Sequence, residues 1–132
     1  MPIKTKRKSE VAKMKIAVSA SGQHKESGLD RRFGRCDYFQ IYDTETSEYS
    51  VIGNEGVASG GGAGIAAASQ IIDKNVNVII TGNLGPNAFE LLEKADMKAY
   101  SCDAVPVFRA IEMYQKNQLS EISIAGSAHH GM

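Results

Sequence analysis

A chain of 132 residues with 15 basic and 15 acidic side chains, 42% hydrophobic content and 13 glycines has the length for one domain with a real core. Balanced charge excludes a general polyanion binder, so an anion site has to arise by local clustering, and nucleic acid is not the expected partner. Apolar runs such as VNVIITG (76–82) are too short to span a membrane, and no secretory signal is legible; with two cysteines in all, a cytoplasmic chain with free thiols is expected.

Residues 1–13 carry Lys4, Lys6, Arg7, Lys8 and Lys13 with little apolar surface, and read as a basic flexible arm. The domain then runs over 14–118. KIAVSA (Lys15–Ala20) is a short apolar run that fits a buried strand. Ser21–Arg35 is a polar loop marked by glycines. CDYFQIYD (Cys36–Asp43) alternates as a second strand, TETSE turns, and Tyr49–Gly53 returns as a third, making a hairpin. A glycine-rich loop, NEGVASGGGAG, leads into a helix over Ile65–Asn75. Val76–Gly82 reads as a fourth strand and Asn83–Ala95 as a helix with proline in its first turn. Met97–Cys102 is a fifth strand and Ala104–Asn117 a third helix. Residues 119–132, with His129 and His130, read as a flexible C-terminal tail.

The order β-β-β-α-β-α-β-α predicts an α/β domain with three α/β/α layers around a five-stranded mixed sheet, its later crossovers right-handed. Chain direction then gathers the Ser21–Arg35 loop, both cysteines, the triple-glycine loop and the GNLGP turn at the carboxyl edge of the strands. Ligands of open α/β sheets are expected there. Backbone amides of Gly60, Gly61, Gly62 and Gly64, and of Gly82, Asn83 and Gly85, are candidates for an anion. Neither loop is a P-loop, since the G-K-[ST] ending is missing. Arg31, Arg32 and Arg35 add positive charge beside Cys36, and a thiolate near arginines is a soft ligand suited to iron–sulfur species. His24 and Cys102 are weaker metal candidates, as are the tail histidines. No Ser/His/Asp order, no HExxH and no gathered carboxylates stand out, so an enzyme is not expected.

The ordered set MKIAVSASG, LDRRFGRCDYFQIYD, GGGAGIAAASQII, VNVIITGNLGPNAFELLEKADMKAY and AIEMYQKNQL, spanning Met14 to Leu119, resembles the dinitrogenase iron–molybdenum cofactor biosynthesis family. Its members include NifX- and NifY-like proteins and the C-terminal region of NifB. The resemblance implies a ribonuclease H-like sheet motif without nuclease chemistry, and binding or escort of iron–sulfur cofactor precursors. Phe33–Arg35, Gly62–Gly64 and Thr81–Ala88 match the family pattern, while Arg32 stands where relatives often carry a histidine and Cys36 where they carry a small residue. The expected function is therefore a carrier of an anionic iron–sulfur or iron–molybdenum cluster precursor. Cys36 would be its thiolate ligand, Arg31, Arg32 and Arg35 its charge balance, and cofactor donor or acceptor proteins its partners. The alternative is a metal-free regulatory or protein-interaction module of the same fold.

Overall fold

β1 (Lys15–Ala20) is an exposed lysine followed by five buried residues. Its side chains alternate between two apolar clusters, Ala17 in one and Ile16, Val18 and Ala20 in the other. A strand covered on both sides has no polar face, which is why KIAVSA shows no hydrophobic alternation. The protein is seen as a computed structural model that describes residues 14–56 and 62–123. The basic arm, Gly60, Gly61 and the His129–His130 pair lie outside the described residues.

β2 (Tyr38–Asp43) and β3 (Glu48–Gly53) form the predicted hairpin, followed by α1 (Ala63–Asp73), β4 (Val78–Thr81), α2 (Pro86–Lys94), β5 (Lys98–Ser101), α3 (Val107–Gln115) and β6 (Ser120–Glu121). β2 begins two residues later than the sequence predicts, because β1 ends at Ala20, whose partner in the antiparallel register is Tyr38. The sheet is mixed, in the order β3-β2-β1-β4-β5-β6, with β1, β4 and β5 parallel to one another.

That makes six strands among the described residues where the sequence predicts five. β6 pairs antiparallel with β5 through Tyr100↔Glu121 and Ser101↔Ser120. Two exposed residues show no periodicity, so this segment reads as tail in the sequence. The Ile122 N–H nevertheless donates to Ala99 O at 2.8 Å, and its side chain packs on the core. The tail prediction is thus corrected for residues 120–122.

Ala67, Ala68 and Ile71 of α1 and Ala88 and Leu92 of α2 join Phe39, Ile41 and Ile79 in the first cluster. Val107, Ala110 and Ile111 of α3 join Ile16, Val18 and Ile80 in the second. Each of these three helices is followed by a left-handed residue, Asn75, Asp96 or Asn117, with φ of 58°, 61° and 59°. These short polar residues tolerate that conformation, and it ends the helix where glycine is missing. β1, β4 and β5 therefore open their carboxyl ends on one edge, and α1 and α2 start there on the same side of the sheet.

Candidate functional site

The long loop after β1 divides into two halves with different commitments. Its first half serves α3. Ser27 O accepts from Val107 N at 2.9 Å and Lys25 O from Phe108 N at 3.0 Å, so the first-turn amides of α3 are occupied by carbonyls. Gln40, fully buried, donates through Nε2 to Gly22 O (3.0 Å) and His24 O (2.7 Å) and fixes this half in place. His24 itself is exposed there.

The second half carries the arginines. Arg32 grips Asp30 with both ends of its guanidinium, Nε to Oδ1 at 3.0 Å and Nη2 to Oδ2 at 2.7 Å. These hydrogen bonds hold the Asp30 carboxyl below its usual range, against a smaller opposing push from burial. Arg31 lies over Gly82 and donates from Nε to Cys102 O at 3.2 Å, stitching the ends of β4 and β5. A Cβ on Gly82 would sit 2.2 Å from Arg31 Cβ, so this crossing needs glycine. Arg35 is exposed.

The thiol expected to be held as a thiolate by these arginines lies inside the core. Cys36 has no exposed surface and belongs to the first apolar cluster. Burial pushes its thiol up to about 12, only partly countered by hydrogen bonds including one from Asn54. Its Sγ donates to Phe33 O at 3.4 Å. Cys102 is 4% exposed in the second cluster, its thiol also pushed up by burial. The two sulfurs lie on opposite faces of the sheet, as the alternation of β1 between the clusters requires. Among the described residues, no three His, Cys, Asp or Glu side chains converge to hold a metal ion.

What the fold does bring together is the glycine set. A cleft of about 310 Å³ opens between the starts of α1 and α2, lined by Phe33, Gly34, Gly62–Ile65, Asn83 and Gly85–Ala88. Gly34 closes one side: a Cβ there would be 2.9 Å from Gly64 N. Gly64 in turn faces Ala88, where a Cβ would make ordinary contact at 3.4 Å. Gly62 ends the loop with φ 86°, a left-handed residue before α1. Neither α1 nor α2 has a side-chain cap or an acidic residue in its first turn. The N–H groups of Gly64, Ile65, Asn87 and Ala88 have no acceptor within their own helices, and two positive dipole ends meet at one cleft. Gly82 is buried beneath Arg31, outside the lining. A larger groove of about 1150 Å³ beside β3 and α1 carries Asp37, Glu55 and Asp73 against one cation, Lys74, a balance that disfavours an anion.

The model of the family described as dinitrogenase iron–molybdenum cofactor matches residues 14–117, nearly all of the described fold. The chain belongs to the dinitrogenase iron–molybdenum cofactor family. Its similarity to the apo form of the orange protein from Desulfovibrio gigas has a TM-score of 0.83 at 28% identity, covering 87% of this chain and 98% of that one. A putative NifB protein from Thermotoga is 32% identical with a TM-score of 0.77, over 86% of this chain and 97% of that one. An uncharacterized protein of Methanocaldococcus jannaschii is 28% identical over 115 residues, 85% of this chain and 94% of its own length. Within this family framework, sequence reasoning named Gly62, Gly64, Asn83 and Gly85 as site residues and missed Asn54, Ile65 and Asn87. Asn54 directly follows the strand predicted over Tyr49–Gly53, and an asparagine there is a turn signal.

Proposed function

We propose that this chain is a carrier, not an enzyme, and that it holds an anionic metal–sulfur cofactor precursor reversibly in the cleft between α1 and α2. The observation that carries the reading is the pairing there of two helix N-termini free of caps and acidic side chains, while the third, of α3, is occupied by loop carbonyls. An iron–sulfur or iron–molybdenum species is the cargo its family points to, and the relative from Desulfovibrio gigas has an apo form. The donor set fits a cluster held as a preassembled anion: backbone N–H groups donate to its sulfides, and no described cysteine is exposed to ligate iron. Weak capture of this kind suits release to a donor or acceptor protein. The two-sided burial of the sheet supports a three-layer α/β/α architecture with a ribonuclease H-like motif as the frame.

The test is anaerobic titration with tetrathiomolybdate, a soluble dianion with strong visible absorption, alongside reconstitution with ferrous iron and sulfide. Saturable binding of the dianion, unchanged in Cys36→Ser, is expected. Stoichiometric iron and sulfide that is lost in Cys36→Ser would overturn the amide-held version and restore the cysteine ligand. Colourless protein under both conditions would favour a metal-free regulatory or protein-interaction module.

A further inference from the structure

Asn54 follows the last residue of β3 and is 7% exposed. Its Nδ2 donates to Cys36 O at 2.8 Å and to Gly34 O at 3.2 Å, with Cys36 Sγ 3.6 Å away. Its Oδ1 accepts from Gly56 N at 2.8 Å, and its own backbone N–H donates to Asp37 O at 3.0 Å. One carboxamide thus ties the Phe33–Asp37 turn to the segment leaving β3.

Both tied segments lean on the start of α1. A Cβ on Gly34 would lie 2.9 Å from Gly64 N, and one on Gly56 would lie 2.4 Å from Ala63 O. The two glycines therefore clasp the first turn of α1, and Gly34 is also a wall of the cleft. The amides that face an anion and the wall that limits its approach share one support. A carboxamide is required in this place because both a donor and an acceptor are used. Aspartate would set a carboxylate against two carbonyls, and leucine would leave three backbone groups without a partner.

We propose that Asn54 is the positioning residue of the cleft: its carboxamide holds Gly34 against the first turn of α1 and so presents the α1 amides to the bound anion. This rests on the anion reading above, but its structural half can be tested separately. It also assigns the neighbouring Cys36 a packing role, since only the contact with its Sγ, not its carbonyl bond, depends on the thiol.

The experiment uses the full chain, comparing wild type with Asn54→Leu, Gly34→Ala and Cys36→Ala, plus the core substitution Ile79→Val as a control for lost stability. Amide NMR and hydrogen exchange report the cleft, and tetrathiomolybdate titration reports binding. In Asn54→Leu the amides of Gly34, Gly64 and Ile65 should shift and exchange about tenfold faster while sheet amides keep their protection, and affinity should fall about tenfold as the loosened wall and first turn lose part of their grip on the anion. Gly34→Ala should reproduce the affinity loss by sterics alone. Cys36→Ala and Ile79→Val should bind like wild type. Unchanged Gly34 and Gly64 amides in a folded Asn54→Leu protein would overturn the proposal. An Ile79→Val protein that loses as much affinity would do the same, by reducing the effect to stability. If Asn54→Leu does not fold, Gly34→Ala decides, and wild-type affinity there overturns it. Absence of binding by wild type would refute the anion reading while the amide data still decide the role of Asn54.

Discussion

Replacing Asn87 by aspartate changes the shape of the side chain hardly at all and adds one negative charge to the first turn of α2, on the lining of the cleft. Two effects of opposite sign follow. A carboxylate near a helix N-terminus stabilises it by about 0.3–1 kcal/mol, and α2 has no acidic residue there to compete. The same charge opposes an anion in the cleft. A unit charge and a dianion about 6 Å apart, with an effective dielectric of about 40, repel by about 3 kcal/mol. Exposure of Asn87 and ordinary salt reduce this to about 1–2 kcal/mol, a five- to thirtyfold loss of affinity. Urea unfolding reads the first effect and tetrathiomolybdate titration at low salt the second. Stability should rise or hold while affinity falls, and added salt should narrow the gap between variant and wild type. Equal affinity at low salt, or affinity and stability falling together, would refute the argument that two helix dipoles create the site.

Both thiols should resist alkylation at pH 8 in the folded protein and react only on unfolding, as mass spectrometry would show; rapid labelling of Cys36 would contradict its burial. Because the Cys36 thiol is raised to about 12 in the fold from an ordinary value near 9, its contribution to stability is whole below pH ~9 and is lost as pH rises towards 12. By pH ~10 the loss is about 1 kcal/mol, and Cys36→Ala should flatten that alkaline limb in chemical denaturation curves. Asp30 has the opposite sign: its lowered value means stability present above pH ~4 that disappears as acid titrates it, and Arg32→Gln should weaken this acid dependence. Gly82→Ala, with a Cβ 2.2 Å from Arg31 Cβ, should cost about 1–3 kcal/mol in urea unfolding; a neutral result would mean that Arg31 moves aside freely.

The element order, the hairpin and the three helices are legible in the sequence because each leaves a local mark: buried strands as apolar runs, helices as periodic stretches, and the loops as glycine. From that order alone the Gly62, Gly64, Asn83 and Gly85 backbone could be placed on one edge, since strand direction follows from the connections. β6 could not be read, as two exposed residues owe their pairing to β5 and leave no pattern of their own. The burial of the cysteines is illegible in the sequence for a related reason. Position at the strand ends is a property of chain order, whereas the state of a thiol depends on what packs across it, and Phe33, Phe39 and Asn54 come from three separate segments. In the same way, arginines adjacent in sequence look like a shared charge, but Arg32 closes on Asp30 and Arg31 reaches over Gly82 to Cys102 O. Local sequence thus determined which backbone meets at the edge; tertiary packing decided which charges and sulfurs remain available there, because desolvation and pairing are set by neighbours distant in the chain.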